Sequence, residues 1–241
     1  MPLSFRFDTH IHTAETSKCG RIPAKQLVEK YHALGYHGIG ITDHLHAEYI
    51  DLLYCCDDWD TCVDRFLDGY RIAKMHGDKV GLCVVLGCEL RFLENDNDYL
   101  IYGIDEAFLR SNPYPYKMGP QAFFERFGED LLILHAHPFR EGNSFVRHDC
   151  IHGFELINAN PRHDSCNAKA FEFAKQMPWL HRVCGSDTHR EGEEALCWML
   201  FDRPVTDSFE FRNAILQGGY QLGCRTESEQ RILCEALEYF S

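Results

Sequence analysis

Apolar residues along this chain gather in short runs, and the segments between them carry apolar positions at helical spacing. Seven runs read as strands: "SFRFDTHIH", "GIGITDH", "VGLCVVLGCEL", "DYLIYGID", "DLLILHAHP", "GFELINAN" and "HRVCGSDTH". The stretch "IPAKQLVEKYHALG" has Pro23 near its start, apolar Leu27, Val28, Tyr31 and Leu34, and Gly35 as a stop, which predicts a helix. A longer helix is predicted from about Trp59 to Met75, with Asp57 and Asp58 suiting its N-terminus. Further helices are predicted around 120–127, 165–176, 207–217 and 227–239, and "SNPYPYKMGP" reads as a loop. Strand and helix in alternation predict parallel strands with helices packed outside. About seven strands in this length predict a barrel or near-barrel. No second core, linker, repeat or low-complexity tract interrupts residues 1–241, which are expected to form one domain.

Composition narrows the classes. With 45% hydrophobic and 25% charged residues in 241, the chain is globular and able to bury a core. A formal net charge of −13 argues against capture of nucleic acid or an anionic membrane, which need surplus Lys and Arg. Cations held by acidic and imidazole groups would reverse the potential locally, so a small anionic substrate stays compatible. Twelve cysteines without a signal-like start or a C-x-x-C pair are expected to be reduced thiols in a cytoplasmic protein. No apolar run approaches the ~18 residues of a membrane span.

The strand ends carry the chemistry. On a strand, Asp8, His10 and His12 point to one face. The same two-residue spacing recurs at Asp187 and His189 and at His135 and His137, while Asp43, His44 and Glu89 close two other apolar runs. In a parallel barrel these groups converge on the C-terminal rim. A single His on a strand is usually a surface or core residue, and fourteen histidines make some clustering expected by chance. Five strand-end motifs outweigh that bland reading. His, Asp and Glu at this density suit Zn, Mn or Fe at a hydrolytic site, with a carboxylate such as Glu89 bridging two ions.

The motifs "DTHIHT", "GITDH", the Glu of "GCEL", "HAHP" and "GSDTH" make the chain resemble the polymerase and histidinol phosphatase (PHP) family, from Asp8 to at least His189. The resemblance implies a distorted (β/α)7 TIM-like barrel with two or three divalent metal ions. It implies that His10, His12, Glu89 and Asp187 hold the first, that Glu89 bridges to a second held by His137, and that His44 and His189 belong to a third. Asp8 and Asp43 then orient imidazoles. The chain departs from the trinuclear phosphatases of the family twice. After the first motif it has "ETSKCG" in place of a His, where Glu15 or Cys19 substitutes, a thiolate favouring Zn. At the end of the fourth strand Asp105 stands where a His is expected, as a ligand or as a helix cap. His135 is a further candidate ligand. Arg140, Asn160, Arg162 and Arg190 are candidate substrate clamps, against the alternative of surface ion pairs.

The expectation is a metal-dependent phosphoesterase acting on a small phosphorylated metabolite. A water between two metals loses a proton near neutral pH and the hydroxide attacks phosphorus, with Asp43, His189 and His163 as catalytic candidates and His189 or His163 protonating the leaving group. A C–N or carboxylic ester hydrolase is the alternative enzyme, separable by a substrate panel. A non-catalytic metal-binding or regulatory module is the alternative of another class, separable by metal content. No P-loop, H-E-x-x-H, G-x-S-x-G or dinucleotide fingerprint occurs. Oligomeric state has no signature in the sequence.

Overall fold

The structure is a computed structural model and describes residues 4–54, 58–143 and 149–240. The chain opens with strand β1 (Phe5–Ile11), followed by helix α1 (Ala24–Ala33), which carries Leu27, Val28 and Tyr31 into the core. Its punctuation works as predicted, with the chain turning at Gly35 (φ 74°). The second apolar run divides into β2 (Gly38–Ile41) and β3 (His44–Leu45), followed by a π-helical segment, Glu48–Tyr54. Helix α2 (Trp59–Val80) starts on Asp58, whose carboxylate accepts from the Thr61 N–H at 2.8 Å, and stops at left-handed Gly81. It runs past Met75 to Val80, through the buried Gly77, with Lys74 and Asp78 paired one turn apart before left-handed Gly81 ends it. Asp57, the other predicted acidic residue, lies outside the described residues.

The third run also divides, into β4 (Cys83–Leu86) and β5 (Cys88–Arg91). After β6 (Asp98–Tyr102) comes helix α3 (Glu106–Ser111), too short for a periodic signal, then a 3₁₀ turn at Pro115–Lys117 within the predicted loop. The remaining elements are α4 (Pro120–Phe127), β7 (Leu132–His135), β8 (Gly153–Asn158), α5 (Asn167–Gln176), β9 (His181–Gly185), β10 (Cys197–Phe201), α6 (Ser208–Gln217), β11 (Tyr220–Cys224) and α7 (Glu227–Phe240).

The architecture is mixed α/β, and the hydrogen bonds of the described strands group them in two sheets that do not by themselves trace a closed barrel. Five strands lie in the order β11-β10-β1-β2-β4 and six in the order β3-β5-β6-β7-β8-β9. The pairs β1·β2, β2·β4, β3·β5, β7·β8 and β8·β9 are parallel. Strand β6 is antiparallel to both β5 and β7, and the hairpin β10–β11 adds antiparallel strands that the apolar-run reading missed. The sheets touch where Ile11 bridges Thr188, with the His12 N–H donating to the Thr188 carbonyl at 3.0 Å. The larger core includes Phe7, Leu100, Tyr102, Leu134, Phe154 and Phe211, all buried. A smaller one forms where α1 covers Ile11, Ile39 and Ile41. Among the described residues no helix is long and apolar enough to cross a membrane, and every described cysteine is a free thiol.

Candidate metal centre

Parallel strands deliver their C-terminal ends to one rim, where open α/β sheets bind ligands. His10 sits near the end of β1 with His12 just beyond, His44 follows β2, Glu89 lies on β5 beyond β4, His137 follows β7, and Asp187 and His189 follow β9. The structure brings these seven side chains together. The Nε2 atoms of His10 and His12 are 3.1 Å apart, and each lies 3.3 Å from a Glu89 oxygen and 3.5 Å from Asp187 Oδ1. Glu89 also reaches His137 Nε2 through Oε1 and His44 Nδ1 through Oε2, both at 2.9 Å. One carboxylate thus touches four imidazoles. Among the described residues three overlapping donor groups result: His12, His44 and His189; His10, His12 and Glu89; and Glu89, Asp98 and His137.

The outer nitrogens are tied down. His10 Nδ1 is 2.9 Å from Glu155 Oε1, and His189 Nδ1 is 2.9 Å from the Asp187 carbonyl. His12 Nδ1 meets Ser17 Oγ at 3.3 Å, and that hydroxyl donates to Asp43 Oδ1 at 2.6 Å. An acceptor on Nδ1 fixes the proton there and leaves the Nε2 lone pair aimed inward. His44 Nδ1 is buried and, despite its 2.9 Å approach to Glu89, makes no hydrogen bond. Lone pairs and carboxylates facing one another this closely require positive charge between them. Separations near 3.0–3.5 Å are about the edge lengths of a coordination polyhedron whose metal–ligand bonds are about 2.1 Å. The donor set therefore fits divalent cations, the identity and number of which the geometry leaves open.

In the cation-free protein, protons take that role. Despite burial, the carboxylates of Asp187, Glu155 and Glu89 hold His10 well above its usual pKa, and His44 is raised likewise by Glu89 and Cys19. His189, against Asp187 and Cys19, is raised to about 9. Against the same burial, His10 and its neighbours hold Glu89 and Asp187 well below the usual carboxylate range. Two ligand backbones are strained, with positive φ at His137 (31°) and Asp187 (52°), a cost kept only where the surroundings over-determine it.

Other sequence candidates sit elsewhere. Asp105 is exposed and caps α3, accepting from the Phe108 N–H at 2.7 Å. The reason is strand direction: β6 is antiparallel, so its end points away from the rim and its start points toward it. That start brings Asp98, which sequence reasoning passed over, with Oδ2 at 3.8 Å from His137 Nε2 and both oxygens on Arg91. Glu15 is exposed and accepts from the Ala24 N–H at 2.9 Å at the start of α1, leaving Cys19 beside His44 and His189. His135 stacks on Tyr99 at 5.2 Å and belongs to none of the donor groups.

The candidate clamps serve mainly as braces. Arg140 donates to Asp187 Oδ2 at 2.7 Å and to Asn158 Oδ1 at 2.8 Å, and Asn160 donates to the Asp187 carbonyl at 2.7 Å. Arg162 is held by Glu193 at 2.6 Å, while His163 and Arg190 are exposed. Desolvation and the nearby Arg140 and Arg162 lower the His163 pKa, so at neutral pH its ring is a poor proton donor. Asp8 orients no imidazole: it accepts from Tyr31 Oη at 2.8 Å and the Ser186 N–H at 3.1 Å, tying β1 to β9. Asp43 acts on His12 through Ser17. Glu155 was missed as well, although a carboxylate inside the buried run "GFELIN" is a detectable signal; it accepts from the His137 N–H at 2.7 Å while facing His10.

Gly185 shows how tightly this packing is set. A Cβ there would lie 2.4 Å from His10 Cβ and 2.6 Å from Glu155 Oε1. Gly185→Ala is expected to push the His10–Glu155 pair apart and weaken cation binding about 10- to 100-fold, as losses of such supporting contacts do. Calorimetric titration of the metal-free protein checks it; an unchanged affinity would mean that the pair does not orient His10.

An α/β fold whose strand ends gather five imidazoles and two carboxylates at one rim defines a candidate metal centre with several donor groups. The sequence matches the PHP domain over residues 8–191, and the chain belongs to that family. No curated protein matches it. In fold it is similar to a two-domain protein from Bacteroides vulgatus containing a predicted PHP-like metal-dependent phosphoesterase (TM-score 0.64, 15% identity, 96% of this chain and 69% of that one). It is also similar to PsfC from Pseudomonas syringae (0.61, 14%, 98% and 97%). A third likeness is to a protein of Bifidobacterium adolescentis assigned as a metal-dependent phosphoesterase (0.53, 15%, 90% and 98%).

Proposed function

We propose that this protein is a metal-dependent phosphoesterase that hydrolyses a small phosphorylated metabolite. The observation that carries the reading is Glu89, one buried carboxylate within 3.3 Å of His10, His12, His44 and His137, which suits it to bridging two cations. Divalent cations held there supply Lewis acidity toward a phosphoryl oxygen and a water acidic near neutral pH. The chain's own residues do the rest. His10, His12, Glu89 and Asp187 form one donor set, Glu89, His137 and Asp98 a second, and His44 and His189 lie at the edge of a third. Glu155, Asp43 through Ser17, and Arg140 hold the donors in register, so little reorganisation is needed when charge develops. His163 and Arg190, exposed beside the rim, contact the substrate. The acidic surface, with a formal charge of −13, favours a small substrate over nucleic acid.

The test is a panel of phosphomonoesters, phosphodiesters, amides and carboxylic esters offered to protein loaded in turn with Zn²⁺, Mn²⁺ or Fe²⁺. Turnover of a phosphate ester well above that of the carbonyl substrates supports the reading. Turnover confined to amides or carboxylic esters overturns it in favour of a carbonyl hydrolase.

A further inference from the structure

The last apolar stripe of the chain is only partly covered. In α7 Leu233, Ala236, Leu237 and Phe240 recur at helical spacing. Leu233 and Ala236 are buried, whereas Leu237 is 54% exposed, and Trp179, on the turn into β9, is 63% exposed. Both line a cleft of about 410 Å³ whose other walls include Leu156, Tyr220 and Phe240. Small-molecule sites are clefts of this size, mostly apolar and aromatic, with a few placed polar groups.

The charge in the cleft is of one sign. Arg182, near the start of β9, lines it and no Asp or Glu does, although the chain as a whole carries −13. The Arg182 guanidinium lies 3.9 Å from the centre of the Phe240 ring and donates from Nη1 to the carbonyls of Pro178 and Leu180, both at 3.2 Å. Among the described residues no carboxylate pairs with it, whereas Arg91 and Arg140, also half-buried, sit on Asp98 and Asp187. Burial lowers its pKa, and the neighbouring Tyr220 phenol, pushed up to about 12 by burial, is neutral at physiological pH. A desolvated guanidinium without a counter-charge is costly, and an anion entering the cleft relieves that cost.

We infer that this cleft is a second ligand site, remote from the metal centre, for a small amphipathic anion. Its carboxylate or sulfonate head meets Arg182, and its flat apolar body lies against Leu156, Tyr220 and Phe240. The site does not rest on the phosphoesterase reading. Strand β9 starts at the cleft and leads to Asp187, five residues beyond Arg182 and up to about 17 Å away.

Two fluorescent probes of one shape test this: 8-anilinonaphthalene-1-sulfonate and its uncharged analogue, N-phenyl-1-naphthylamine. The folded wild type should bind one sulfonate probe per chain, about tenfold or more tighter than the uncharged one, as a charge-assisted hydrogen bond implies. Chelator should not change this. Arg182→Gln should abolish the difference between the probes. Leu237→Glu, at an exposed position that keeps the fold, should weaken the sulfonate about tenfold and the uncharged probe less. Thermal melts confirm that both variants are folded. Equal binding of the two probes to wild type, no saturable binding, or sulfonate binding that requires loaded metal overturns the inference and leaves the phosphoesterase reading untouched. So does a cleft filled by a second copy of the chain, seen as a dimer in sedimentation that Leu237→Glu dissociates.

Discussion

Glu89→Gln should abolish hydrolysis of phosphate esters and strip the protein of cation while leaving it folded. The Glu89 oxygens lie 2.9 Å from His137 and His44 and 3.3 Å from His10 and His12, so one substitution reaches four other donors. An amide keeps the shape but loses the charge, and it turns one acceptor into an N–H that points a proton at imidazole lone pairs. Loss of a supporting residue around a metal typically costs 10–100-fold, so loss of the bridging ligand itself should exceed about 100-fold in activity. Metal content by elemental analysis, turnover of a chromogenic phosphate ester and circular dichroism together check it. Full activity with full metal content in the variant would rule out Glu89 as the bridge.

Metal-free and metal-loaded protein should respond to pH in opposite directions. In the metal-free protein His189 is raised to about 9 from an unfolded value near 6.5, and His10 and His44 are raised too. A raised imidazole contributes stability that is complete below about 6.5 and is lost as pH climbs through the folded value. The metal-free protein therefore loses stability from about pH 6.5 to 9. Cations must displace those same protons, so their affinity rises over this range and the loaded protein gains. Where free metal exceeds its Kd about 100-fold, binding adds about 2.7 kcal/mol. For a chain of this length that corresponds to a Tm increase of about 5–11 °C. Below about pH 4 both forms weaken, because Glu89 and Asp187, whose pKa values are depressed, then take up protons only on unfolding. Thermal melts with chelator or metal at several pH values would show whether the two slopes differ in sign; parallel slopes would mean that cations and protons do not compete for these imidazoles.

Gly185 extends the same logic outward: having no side chain, it leaves room for the His10–Glu155 pair.

Much of the centre was legible in one dimension, because a strand imposes a two-residue period. Asp8, His10 and His12, and again Asp187 and His189, could be read as rim residues from spacing and the preceding apolar run. Helices α1, α2, α4, α5, α6 and α7 were legible from apolar periodicity and capping residues, and α3 was too short to show either. Strand direction has no local signature. The sequence does not reveal that β6 runs backwards, so Asp105 looked like a rim residue and Asp98 did not. Side-chain pairing is equally invisible: Arg140 and Arg162 read as substrate clamps until Asp187 and Glu193 were found to hold them. The sequence by itself determined which residue types reach the strand ends and hence a cation-binding chemistry, since periodicity and donor type are properties of neighbouring residues. Only the tertiary structure decided that β6 runs against both its neighbours, that Glu155 and Ser17 meet the outer nitrogens of His10 and His12, and that Asp98 rather than Asp105 approaches His137. Those facts depend on contacts between segments far apart in the chain, where packing and hydrogen bonding, rather than local spacing, choose the partner.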